Sequence, residues 1–171
     1  KFAGSTEIAS RVMGIVGFGS IGQVVGQKAR GMGMEVIAYD AMMPNDHPAW
    51  TDARRVNLDE LVAEADVISL HCPKLPETID LIDKRQFERM KPDAVLVNSA
   101  RGGIVNEVDC AEALRAGQIA GAALDTLDVE PIKPEVGALF HGIENLILTP
   151  HVAGVTKESN RRIAEVAAEN V

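Results

Sequence analysis

Cysteine is nearly absent from this chain of 171 residues: Cys72 and Cys110 are the only two, far apart and without metal-like spacing to any histidine. That excludes a disulfide framework and a zinc site, no other metal is indicated, and a reducing, cytoplasmic setting is expected. Long apolar runs are missing too. The longest, around Ile119 to Leu124, contains Gly and Ala and falls well short of the roughly 18 to 20 residues needed to cross a bilayer. No segment reads as a signal peptide or membrane anchor. Positive charge is in deficit: Lys and Arg number 17 against 25 Asp and Glu, a formal net charge of -8. An acidic chain is a poor partner for nucleic acid or anionic membranes, though a small anion can still bind at a local cation. Repeats, low-complexity tracts and an interdomain linker are also lacking.

The length suits one α/β domain with a sizeable core. Short apolar runs at Val12–Val16, Glu35–Tyr39, Asp66–Leu70, Ala94–Asn98, Ile119–Leu124 and Asn145–Leu148 do not alternate with polar residues, so each predicts a strand buried on both faces. Helical spacing intervenes at Ile21–Gly31, Leu58–Ala65, Lys84–Met90 and Val108–Ala116, and an amphipathic helix over Lys157–Val171 leads away. Strands alternating with helices predict a doubly wound parallel sheet of six strands, with ligand across the carboxyl ends at the switch point. Met42–Pro48 and Pro131–Pro134 read as loops. Lys1 in place of Met, and a helical pattern still running at Val171, predict a fragment of a longer protein.

Gly17, Gly19 and Gly22 form G-x-G-x-x-G between the first strand and the helix from Ile21. Gly17 permits the tight turn, Gly19 lets backbone approach a pyrophosphate, and Gly22 lets helix pack close to strand. The amides at the helix start then face phosphate. A purely structural turn is the alternative. Asp40 ends the second strand about 20 residues beyond the glycines, where a carboxylate accepts from both ribose hydroxyls and repels a 2′-phosphate. Ala41, Met42 and Met43 supply no cation for such a phosphate, so NAD is favoured over NADP; a turn-forming Asp is the competing reading. Met32, Met34, Met42 and Met43 read as core or edge filling. His47, His71 and His141 read as structural or solvent-facing.

Three further motifs follow in register: Val97-Asn98-Ser99-Ala100-Arg101-Gly102-Gly103-Ile104-Val105, Ala123-Leu124-Asp125 through Val129-Glu130-Pro131, and Thr149-Pro150-His151-Val152-Ala153-Gly154. With the glycine motif they resemble the cofactor domain of the D-isomer-specific 2-hydroxyacid dehydrogenases, phosphoglycerate dehydrogenase among them, over nearly the whole chain. The resemblance implies a Rossmann fold spanning residues 1–171 with NAD as cofactor, the separate substrate domain lying outside this chain. It implies NAD contacts at Ser20, Ile21, Cys72, Pro73, Ser99, Ala100 and Gly154, and a carboxamide contact at Asp125. It also implies a homodimer. Departures from the family wording fall at Thr126-Leu127-Asp128 and in Ile132 to Gly142.

Hydride transfer to a 2-oxo acid needs a proton donor at the carbonyl oxygen and a cation for the carboxylate. His151, after the last predicted strand, suits the first; Arg101, with its planar fork between Ala100 and two glycines, suits the second. Glu130 is placed to bond the far ring nitrogen of His151, fixing its tautomer and favouring its charged form; Glu here, where the formate-oxidising branch carries Gln, argues against that branch. The substrate expected is a small anionic 2-oxo or 2-hydroxy acid of unspecified side chain. Two other readings stay open. One is an NAD-responsive binding module like the family's corepressors; the other is a Rossmann enzyme holding NAD as an internal redox aid.

Overall fold

The computed structural model describes residues 6–169. Seven parallel strands form one sheet in the order β3-β2-β1-β4-β5-β6-β7. They are β1 (Val12–Val16), β2 (Glu35–Tyr39), β3 (Arg54–Arg55), β4 (Val67–Leu70), β5 (Val95–Asn98), β6 (Gly121–Leu124) and β7 (Leu146–Leu148). The helices are α1 (Ser20–Gly31), α2 (Leu58–Glu64), α3 (Lys84–Phe87), α4 (Glu107–Arg115), α5 (Pro134–Leu139) and α6 (Lys157–Glu169). The order reverses at β1, whose neighbours are β2 and β4, so the crevice of a doubly wound sheet opens above its carboxyl end.

Alternation along the central strands builds two cores. Ile15, Val36 and Ala38 pack on one face with Phe18, Ala29 and Met34. Val16 and Ile37 pack on the other with Leu61, Val62, Ile68 and Leu96. Both sets are buried because helices cover both faces, which is why the strands read as continuous apolar runs. Packing is close at Gly14, where a Cβ would lie 2.7 Å from Leu61 Cδ2, so α2 rests directly on β1. Truncating the fully buried Leu61 to Ala costs about 2 to 5 kcal/mol on the scale of such cavities.

Several expectations are corrected. The sheet has seven strands, because β3 consists of two exposed arginines that pair with Ile37 and Ala38 and carry no apolar signal. β7 is not buried on both faces: at the edge of the sheet it pairs, among the described residues, with β6 alone, and Ile147 is 64% exposed. The stretch after Pro131 turns helical at Pro134, whose fixed φ suits the first turn of α5. Helix α3 ends at Phe87, short of Met90. Met34 is core, but Met32 and Met42 are exposed, Met42 by 84%. The last two residues of the expected terminal helix lie outside the described residues. No helix among the described residues is long and apolar enough to cross a membrane.

Candidate functional site

The glycine turn is held by contacts no side chain tolerates. Gly17 has φ +88°, and a Cβ there would sit 2.6 Å from the Cys72 backbone nitrogen. A Cβ at Gly22 would collide with the Gly17 carbonyl oxygen. At Gly19, in contrast, an added Cβ meets nothing within 4 Å, so the space above this residue is open. Gly19 is the N-cap of α1 and supplies no side-chain cap; the first turn, which begins with Ser20 and Ile21, carries no acidic residue. Uncapped amides and the positive end of the helix dipole therefore face that open space, the environment an anionic phosphate needs.

Beside it lies a cleft of about 320 Å³ lined by Gly17, Gly19, Asp40, Met42, Cys72 and Pro73 among others. Asp40 Oδ2 accepts from Phe18 N–H at 2.8 Å, and Oδ1 accepts from Met42 and Met43 N–H at 2.8 and 2.9 Å. The carboxylate thus shapes the turn while Oδ2 keeps one lone pair directed elsewhere. His71 lines the same cleft; its Nε2 lies 2.9 Å from Ser69 Oγ, and burial holds it below the usual histidine value. Burial pushes the Cys72 thiol up, so it is not a reactive thiolate.

A second cluster is built from the loops after β5, β6 and β7. His151 Nδ1 donates to Glu130 Oε2 at 2.7 Å, and Glu130 Oε1 accepts from Leu127 N–H at 3.0 Å. The bond from His151, then that from Leu127, holds the Glu130 carboxyl below the usual range. A carboxylate can only accept, so the ring proton sits on Nδ1 and Nε2 is left for exchange. His151 has φ +54°, an unusual backbone for a residue with a side chain. Asp125 enforces it. Its backbone carbonyl accepts from His151 N–H at 2.8 Å, and its carboxylate accepts from Thr149 Oγ1, Val152 N–H and Ala153 N–H at 2.5, 2.9 and 2.9 Å. Burial pushes Asp125 up, and these hydrogen bonds outweigh it, leaving the group below its usual value.

Arg101 follows β5 on a turn clamped by buried Asn98, whose Nδ2 donates to Arg101 O and whose Oδ1 accepts from Ala100 N–H. The guanidinium is exposed and donates to Ala100 O; among the described residues it makes no ion pair with Glu130 or Asp125. Ser99 is exposed on this turn, and Gly154 lies on the exposed loop before α6, its carbonyl accepting from Ser159 Oγ. The structure therefore brings Gly17, Gly19, Asp40, Cys72 and Pro73 together at one cleft and couples Glu130 to His151, while Arg101 stands on the neighbouring loop. Sequence reasoning missed Asn98 and Thr149 as site-shaping residues; each stands inside a recognised motif, Asn98 three residues before Arg101 and Thr149 two before His151. Among the described residues no group of His, Cys, Asp and Glu could hold a metal ion.

A parallel sheet with a glycine turn at its switch point and an acid at the end of β2 defines a Rossmann-type dinucleotide-binding domain. Comparison with known proteins agrees and narrows the class. Residues 1–153 match the family described as D-isomer specific 2-hydroxyacid dehydrogenase, NAD binding domain, and the chain belongs to that family. It is 41% identical over 167 residues to a hydroxypyruvate reductase from Blautia hydrogenotrophica, covering 96% of this chain and 50% of that protein. It is 42% identical over 166 residues to an (S)-sulfolactate dehydrogenase from Chromohalobacter salexigens, covering 96% and 53%. The D-isomer specific 2-hydroxyacid dehydrogenase of Lactobacillus delbrueckii ssp. bulgaricus, solved in its NAD-complexed form, superposes with a TM-score of 0.87 at 33% identity, covering 97% of this chain and 53% of that one. The chain thus spans about half the length of the relatives it matches.

Proposed function

We propose that this chain is the cofactor half of an NAD-dependent D-2-hydroxyacid dehydrogenase, and that Arg101, Glu130 and His151 carry its chemistry. The observation that carries the reading is the His151–Glu130 hydrogen bond of 2.7 Å on the same rim as the open glycine turn. When bound, NADH supplies a hydride to the 2-carbon of the oxo acid. The α1 amides and Gly19 would hold its pyrophosphate, and Asp40 would accept from the ribose. Arg101 swings from Ala100 O to pair with the substrate carboxylate, a charge-assisted contact worth about 1.5 to 3 kcal/mol. Imidazolium His151 donates its Nε2 proton to the carbonyl oxygen as the carbon–oxygen π bond becomes a C–O–H bond. Glu130 keeps Nδ1 protonated throughout and orients the ring. Ser20, Ile21, Cys72, Pro73, Ser99, Ala100, Asp125 and Gly154 complete the cofactor contacts in this reading.

The same reading places the protein in a reducing, cytoplasmic setting, which the free thiols of Cys72 and Cys110 support, and assembles it as a homodimer, which rests on the family resemblance. Consumption of NADH by the full-length protein across a panel of 2-oxo acids tests the activity. One acid turned over far above the rest is the expected result. His151→Asn should cut turnover by about 10²-fold or more, the usual weight of a general acid, with NADH affinity nearly intact. A matching loss of NADH affinity would remove His151 from the proton-transfer role.

A further inference from the structure

Beside Glu130, on the loop that follows β6, stands a group of charged residues that the reaction above does not use. Asp128 lies two residues before Glu130 on that loop. Its carboxylate pairs with Lys74 Nζ, from the loop after β4, and its backbone N–H donates to Glu107 Oε1 at 2.5 Å, from the first turn of α4. The loop also presses on the turn after β5: a Cβ at Gly102 would collide with the Leu127 carbonyl, and one at Gly103 would lie 2.6 Å from Asp128 Oδ1 and 2.9 Å from Lys74 Nζ. The Gly103 carbonyl in turn accepts from Asp80 N–H at 2.9 Å. Three loops from three adjacent strands therefore meet at one residue.

We propose that Glu107 and Lys74 are positioning residues: they clamp Asp128 from two sides and so fix the loop that delivers Glu130 to His151. This rests on the role of Glu130 argued above. Leu127 and Asp128 are consecutive, and Leu127 N–H is the second donor to Glu130, so freeing Asp128 loosens the backbone that holds the carboxylate. The Lys74–Asp128 pair is exposed on both sides, and such pairs hold little energy alone. Glu107 is the stronger arm, because it accepts from a backbone amide and the loop beneath cannot retreat from Gly102.

The test is the tautomer of His151, read from imidazole nitrogen shifts in labelled protein at about pH 9, where imidazoles are uncharged. The groups facing this ring are Glu130 and Asp125, and neither is altered in the clamp variants. The native chain is expected to hold the Nδ1–H form. Glu107→Ala should shift the ratio of tautomers toward Nε2–H by about twofold or more, and Glu107→Gln, which keeps the acceptor and loses the charge, should not. If Gln behaves as Ala, charge and not the hydrogen bond is responsible, and the clamp is overturned. Should Glu107→Ala fail to fold, Glu107→Asp, which keeps the charge but falls one methylene short of Asp128 N–H, decides the question: a shift toward Nε2–H supports the clamp, and a native ratio overturns it. Glu130→Ala separates the two levels. If it collapses the Nδ1–H form while Glu107→Ala and Glu107→Asp leave it, only the clamp fails; if it leaves the tautomer unchanged, the underlying role of Glu130 fails.

Discussion

Asp40 serves two structures at once. Its oxygens accept from Phe18, Met42 and Met43 N–H, tying the glycine turn to the loop after β2, and one lone pair is left for a ligand. Asp40→Ala should therefore cost about 1 to 3 kcal/mol of stability in the absence of any cofactor, as well as weakening NADH binding. Urea unfolding of the cofactor-free protein checks this, and an unchanged midpoint would leave Asp40 with a ligand role alone. The same doubling explains what the sequence could and could not tell at this scale. That Glu130 stands beside His151 and Asp40 beside the glycine turn was legible, because each is a reactive type at a fixed distance from a strand. That Asp125 spends its carboxylate on Thr149, Val152 and Ala153 was not, because hydrogen bonds between residues 24 to 28 apart leave no local pattern.

Among the elements, α1 and β1 form the unit on which cofactor binding depends. Gly22 abuts the Gly17 carbonyl, so any side chain at 22 pushes the helix start away from the turn. Gly22→Ala is expected to weaken NADH binding by about tenfold or more, roughly 1.4 kcal/mol, with far-ultraviolet circular dichroism near native. Fluorescence titration with NADH measures it; full affinity would mean that the amides tolerate the shift. Five of the seven strands were legible because helices cover both faces and write an apolar run into the sequence; β7 was legible from its apolar run alone, although it lies exposed at the sheet edge. β3 was not, since Arg54 and Arg55 are strand only through pairing with β2. Helix α5 was hidden as well: Pro131 to Pro134 reads as a breaker, and only the placement of Pro134 at the helix start reconciles it.

Taken whole, the molecule has carboxylates held low at both ends of its sheet. At the amino ends, burial pushes Asp66 up, but hydrogen bonds from Val12 N–H, Lys91 and Arg11 outweigh it and leave it below its usual value. At the carboxyl ends Asp125 and Glu130 are likewise low. A carboxyl whose folded value lies below its unfolded one stabilises fully above the unfolded value, about pH 4, and the stabilisation disappears as pH falls through the folded value. Stability should thus begin to fall below about pH 6.5, where His71, held low by burial, is protonated more readily in the unfolded chain, and fall again below about pH 4, with Asp66→Asn flattening part of that second drop. Urea midpoints between pH 7 and pH 3 report it, and an unaltered acid slope in the variant would mean that Asp66 contributes nothing to it.

The parallel arrangement carries one more consequence. Because every strand runs the same way, the Asp66 cluster and the His151 turn are separated by the length of a strand, about 13 to 17 Å for four or five residues, and they share no partner. Perturbations at the two ends are thus thermodynamically independent and their free energies add. A substitution beside the His151 turn therefore costs the fold that turn's own contribution and leaves the contribution of the Asp66 cluster unchanged.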